Sequence, residues 1–221
     1  MRLYKYYSII MTRCHYGVFD MPKTTFYNID KDKQQNLIHV GIQLFSINNY
    51  EEVDVKTVVE AAGLPRGSFY AYFDDMEDYY TLIISSLRLE RIKSISELAK
   101  AFKGNLFDFL VEMFKYDITQ YENDRRKLLL THYFRFLQSK KLGSLEGTIY
   151  HSSQENGIFP ILLSFDINQS TTYHMTHESL IEFTMSIYLT TYNYCLSNKL
   201  SEVDALNLFN ERIRIIERGV K

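Results

Sequence analysis

Along most of this chain apolar side chains return every three or four residues, the spacing of a helix face rather than of a strand. From about Asp32 to Ser46, Leu37, Gly41, Leu44 and Phe45 fall on one face while Gln34, Gln35 and Gln43 take polar positions, and Asn48-Asn49-Tyr50 then brings turn chemistry. A short second helix is predicted behind Asp54 as N-cap, with Val55, Val58, Val59 and Ala62 as its apolar set. Gly63 suits the left-handed residue that closes a helix, and Pro65 opens the next one, because a first turn does not need its missing N–H. The stretch AAGLPRGSFYAYF, residues 61–73, is therefore a tight turn between two short helices.

In the helix after the turn, Phe69 and Phe73 lie four apart and face inward. That leaves Arg66, Gly67, Ser68, Tyr70 and Tyr72 outward: a guanidinium fork, a place for close backbone approach, a small hydroxyl and two phenols. These groups suit phosphate and base-edge contacts, and a helix-turn-helix in a DNA major groove is built this way.

Longer helices are predicted beyond: about 76–100, 105–121, 125–139, 145–163, 174–197 and 201–218, punctuated by Gly104, Gly143 and Asp166-Ile167-Asn168. The fold class is all-α: a three-helix N-terminal head with a helix-turn-helix over residues 22–75, joined to a larger helical bundle over 76–221. In the last helix Val203, Leu206, Phe209, Ile213, Ile216 and Val220 form one stripe, longer than a single neighbour needs. It predicts a homodimer through the last two helices.

The 221 residues, 46% of them hydrophobic, suffice for a substantial core. Cys14 and Cys195 stand far apart, in neither a disulfide framework nor metal-ligand spacing, which fits a reducing cytoplasmic setting. No apolar run has the length of a membrane span, and Arg13 interrupts the N-terminal segment before any signal-peptide core develops. No Ser-His-Asp order, phosphate loop or paired-carboxylate setting stands out, so no enzyme is expected. His174, His177 and Glu178 share a helix face, but their spacing is not HExxH and no fourth ligand is suggested. They read as a solvated helix end, and neither metal nor cofactor is expected.

On the blocks MPKTTFYNIDKDKQQNLIHVGIQLF, NNYEEVDVKTVVEAAGLPRG and SFYAYFDDMEDYYTLI, residues 22–84 resemble the tetracycline-repressor (TetR) family of bacterial transcriptional regulators. The resemblance implies a ligand-responsive repressor that binds a palindromic double-stranded DNA operator as a dimer and is released by a small-molecule effector of unknown identity. The family's DNA-facing positions fall on Lys56, Thr57, Arg66, Gly67, Ser68, Tyr70 and Tyr72. Its effector site falls in the body, where Phe114, His132, Phe136 and Tyr188 are the candidate lining; an ordinary aromatic core is the competing reading of those residues. Because the family's DNA-binding arm begins close to the initiator methionine, residues 1–21 are expected to be a disordered extension, with Met21 a candidate start. In the alternative, Tyr4, Tyr6, Tyr7, Ile9 and Ile10 anchor that segment.

Two features depart from the family pattern. Met76 stands where the family commonly has a lysine at a helix start that holds a phosphate. From Lys31 to Leu82 there are four basic residues against nine acidic ones, a poor balance for binding a polyanion, for which Lys23, Lys31 and Lys33 are candidate compensation. These departures support an alternative function, a helical protein that keeps the head fold but acts through protein contacts or a body-borne activity.

Overall fold

The computed structural model describes residues 22–120, 157–165 and 175–219. Among these residues there are helices and turns and no strand. The chain divides between Glu90 and Arg91 into two units.

The first unit contains α1 (Thr24–Asn28), α2 (Lys31–Ile47), α3 (Val55–Ala62), α4 (Arg66–Tyr72) and the start of α5 (Met76–Ala101). Asp30 caps α2 by accepting from the Asp32 N–H at 2.8 Å. The buried face of α2 is Leu37, Val40, Gly41 and Phe45, so Val40 takes the inward place expected of Leu44, which is half-buried. At the end of α2, Asn48 returns its backbone N–H and its side-chain amide to the Leu44 carbonyl, at 3.1 and 2.9 Å. Tyr79 and Ile83 of α5 press against α2 at Gly41, and the Tyr79 hydroxyl donates to the Leu37 carbonyl at 2.6 Å. Rings of Phe45, Phe69, Phe73, Tyr79 and Tyr80 fill the centre, with Phe73 and Tyr79 5.1 Å apart edge to face.

The second unit contains the rest of α5, α6 (Leu106–Gln120), α7 (Phe159–Leu163), α8 (His177–Ser197) and α9 (Glu202–Gly219). Phe114 of α6 stacks on Phe209 of α9 at 4.1 Å, and Phe109 stacks on Phe165 at 4.3 Å. Inside this apolar packing lies a buried carboxylate, Asp117, which accepts from Arg91 Nε at 2.7 Å, from Arg91 Nη2 and from the Tyr188 hydroxyl. The inward face of α9 is Ala205, Phe209, Ile213 and Glu217. The expected stripe is thus corrected at its start: Val203 is 66% exposed, in the first turn of the helix and off that face. The expected helix 145–163 also does not run unbroken to its end, since Gly157 and Ile158 form a bend and α7 begins afresh with Pro160 in its first turn. The expected helix 125–139, the extension 1–21, His174 and Val220 lie outside the described residues. Among the described residues no helix is long and apolar enough to cross a membrane.

Candidate nucleic-acid interface

The turn between α3 and α4 is fixed by local chemistry. Asp54 accepts from the Thr57 N–H at 2.8 Å and from its hydroxyl at 2.7 Å, and these two bonds hold the Asp54 carboxyl below its ordinary value. At the other end of α3, Gly63 takes φ +66°, its N–H returns to Glu60 O at 3.2 Å and the Leu64 N–H to Val59 O at 2.8 Å. Asn36 of α2 donates to Ala62 O at 3.0 Å, which ties the turn to the first long helix. Pro65, at φ −62°, then opens α4, and the Ser68 N–H reaches its carbonyl at 2.9 Å.

This geometry brings the residues read from the sequence onto neighbouring short helices. Phe69 and Phe73 are buried, as their spacing requires. Arg66, Gly67 and Tyr70 of α4 are exposed, while Ser68 and Tyr72 are half-buried. Tyr72 lies edge to face with Phe26 of α1 at 6.4 Å. In the first turn of α3, Lys56 and Thr57 are exposed. Lys56 sits 3.9 Å from Glu60, a loose surface pair of little energetic weight, and Thr57 has its hydroxyl proton committed to Asp54. Arg66 makes no ion pair among the described residues; Asp74 pairs with Lys23, and Glu60 lies near Lys56. Around Gly67 no atom lies within 4 Å of where a Cβ would stand, so packing does not explain the absent side chain.

Carboxylates crowd the start of α5. The Asp78 side chain accepts from the Asp74 N–H at 2.7 Å, and Asp75 accepts from the Asp78 N–H at 3.0 Å. Burial raises the Asp78 carboxyl above its ordinary value. Burial, followed by the charges of Glu77, Asp75, Glu51 and Asp78, pushes the nearby Tyr50 phenol up to about 12. Met76 therefore opens its helix among acids, without the cation that would hold a phosphate there.

Sequence reasoning missed the part played by the arm. Lys23, read as spare positive charge, and Thr25 of α1 donate to the carbonyls that end α4. They lie 46 to 50 residues away from those carbonyls, and no local spacing signals the pairing.

Of the candidate effector-lining residues, Phe114 and Tyr188 meet edge to face at 5.2 Å and are fully packed. Burial first, then the Asp117 charge, pushes the Tyr188 phenol well above its ordinary value, so it serves as a neutral donor. His132 and Phe136 lie outside the described residues.

Residues 37–79 match the family model of the bacterial regulatory proteins of the tetR family, a span from the middle of α2 into α5. Over 126 residues the chain is 27% identical to YfiR of Bacillus subtilis (strain 168), named as an uncharacterised HTH-type transcriptional regulator; the match takes in 49% of this chain and 61% of that relative. The fold resembles that of a TetR-family transcriptional regulator from Chloroflexus aurantiacus J-10-FL, at TM-score 0.52 and 23% identity over 90% of this chain and 98% of that one. It also resembles the reduced form of NemR from E. coli, at TM-score 0.62 and 16% identity over 84% and 97% of the two chains. A TetR-family regulator from Pectobacterium atrosepticum gives TM-score 0.62 at 12% identity, over 86% and 94%. At these identities the likeness is one of fold.

Proposed function

We propose, from the premise that this chain carries over residues 37–79 the head of the bacterial regulatory proteins of the tetR family, that it is a DNA-binding transcriptional regulator. The observation that carries this reading is the free face of α4. Arg66, Gly67 and Tyr70 are exposed beside Lys56 and Thr57, Arg66 has no ion-pair partner among the described residues, and Gly67 lacks a side chain that packing would have allowed. A helix that buries Phe69 and Phe73 and offers a guanidinium, phenols and bare backbone outward has the build of a major-groove reader. In this reading Arg66 contacts a base edge or a phosphate, Ser68, Tyr70 and Tyr72 hold phosphates, Gly67 admits the close approach of a sugar-phosphate strand, and Lys56 and Thr57 flank them.

Residues 22–75 act as the reading head and 76–221 as the body. The protein works in the bacterial cytoplasm as a homodimer on a palindromic operator, in which the two heads meet two half-sites. Support for the dimer comes from apolar side chains left exposed on the last two helices: Phe183 at 50% and Tyr194 at 48% on α8, and Ile215 at 65% on α9. Arg212 lies 5.8 Å from the Tyr194 ring centroid, an aromatic and arginine pairing common at interface centres. The role is that of a repressor released by a small molecule bound in the body near Phe114 and Tyr188, with an effect only if the ligand favours the conformation that does not bind DNA.

The acids around Tyr50 and the absent lysine at Met76 favour a second reading, a head that docks a protein instead of DNA. Mobility shift of DNA from upstream of the protein's own coding sequence, titrated at two salt concentrations, separates the two. A DNA reader loses affinity steeply as salt rises, and a protein-docking head gives no shift at either.

A further inference from the structure

With seven residues, α4 is too short to hold its own shape, and its last carbonyls have no partner within the helix. The Phe69 carbonyl accepts from the Phe73 N–H at 2.9 Å, and the arm supplies the rest. Lys23 Nζ donates to Tyr70 O at 2.9 Å, the Thr25 hydroxyl donates to Ala71 O, and the Lys23 backbone N–H donates to Tyr72 O at 2.9 Å. Lys23 Nζ also reaches Phe73 O at 3.5 Å and the Asp74 carboxylate at 2.6 Å. Three consecutive carbonyls at the end of the reading helix are thus satisfied from one short segment of the arm. A cation stands where the helix dipole is negative.

An ammonium group has three donors and no acceptor. Lys23 Nζ is turned to Tyr70 O and Asp74 at short range, with Phe73 O at a longer 3.5 Å, so the ammonium is engaged at the end of α4. We propose that Lys23, assisted by Thr25, is a positioning residue for recognition: it clamps the C-terminal end of α4 and so fixes where Tyr70 and Tyr72 stand. The inference rests on the DNA-reading function assigned to α4. It makes the arm part of the reading device and gives its lysine a task distinct from phosphate neutralisation.

The test compares the full-length wild type with Lys23→Met, Lys23→Arg and Thr25→Val in two measurements: amide hydrogen exchange by peptide, and affinity for the upstream duplex across a salt series. In Lys23→Met, exchange over residues 66–74 accelerates about tenfold while residues 37–62 stay protected, the mark of local rather than global opening. Affinity falls at least about fivefold, and the slope of log affinity against log salt stays at the wild-type value, because no phosphate contact is lost. Lys23→Arg, which keeps the cation and its donors, retains both properties. Thr25→Val, which removes only the bond to Ala71, shows the same two changes in smaller degree and carries the test should Lys23→Met fail to fold.

Unchanged exchange over 66–74 overturns the clamp. A salt slope lowered by about one assigns Lys23 to a phosphate and overturns it as well. Faster exchange with unaltered affinity overturns the positioning role. A wild-type protein that binds no duplex at any salt sinks the DNA-reading function itself, a result visible before any variant is compared.

Discussion

Gly41→Ala places a methyl group at the closest approach in the head. In the interior of an exposed helix that change stabilises by about 1 kcal/mol, because alanine restricts the unfolded chain and favours helix. At position 41 the new Cβ would stand 2.4 and 2.5 Å from Ile83 Cδ1 and Cγ1 and 2.8 Å from the Tyr79 hydroxyl. Ile83 and Tyr79 are both 0% exposed, so neither has open space to move into. Overpacking of this kind costs about 1–3 kcal/mol. If Tyr79 withdraws, its bond to Leu37 O is lost and a buried phenol is left unpaired, about 1–3 kcal/mol more. Set against the propensity gain, the variant should lose about 1–5 kcal/mol, a large part of a typical domain's stability at the upper end. Urea unfolding followed by far-ultraviolet circular dichroism measures it. Ile83→Ala in the Gly41→Ala background removes the opposing carbons, so the double variant should be more stable than the two single losses predict, by about 1 kcal/mol or more. Stability at or above wild type in Gly41→Ala alone would refute the close packing of α2 on α5.

Gly67→Ala enters open space, so its stability should stay within about 1 kcal/mol of wild type in the same urea titration, while DNA affinity falls in a mobility shift; equal affinity would show that nothing approaches there. Asp117→Asn removes the buried carboxylate charge to which Arg91 and the Tyr188 hydroxyl donate, so unfolding should become easier by about 1–3 kcal/mol, read by thermal or urea denaturation. Tyr50 has its phenol raised from 10.0 to about 12, chiefly by burial, so the unfolded chain loses that proton first. Its contribution is full below pH 10 and is lost as pH rises through 12, and Tyr50→Phe should flatten the alkaline fall in midpoint between those values.

What the sequence made legible is the local part of this structure. Asp54, Gly63 and Pro65 each act on neighbours within five residues, so the bounds of α3 and α4 followed from composition and spacing, and Phe69 and Phe73 declared their inward face. The clamp of Lys23 and Thr25 on α4 was not legible, because it joins positions that only tertiary packing brings together. The same limit applies to α9: its periodicity admitted a stripe from Val203, but the neighbours chose the row through Ala205, Phe209 and Ile213. From sequence Phe114 could line an effector site or belong to an ordinary aromatic core, and its stacking on Phe209 is what makes it core. Nothing local reveals that Asp117 is buried; its partners Arg91 and Tyr188 come from two other helices.

The central claim is that the exposed face of α4 reads DNA. Titration of the upstream duplex by folded wild-type, Arg66→Ala and Tyr72→Phe proteins at two salt concentrations tests it directly. Wild type should bind with an affinity that falls steeply as salt rises, and Tyr72→Phe should weaken all sequences about equally. Arg66→Ala should cost about 1–3 kcal/mol with relaxed preference at one base pair, or lower the salt slope by about one, according to whether the guanidinium meets a base edge or a phosphate. Wild-type affinity and wild-type salt dependence in both variants would contradict the account, for the helix after Gly63-Leu64-Pro65 would then not be the reading element.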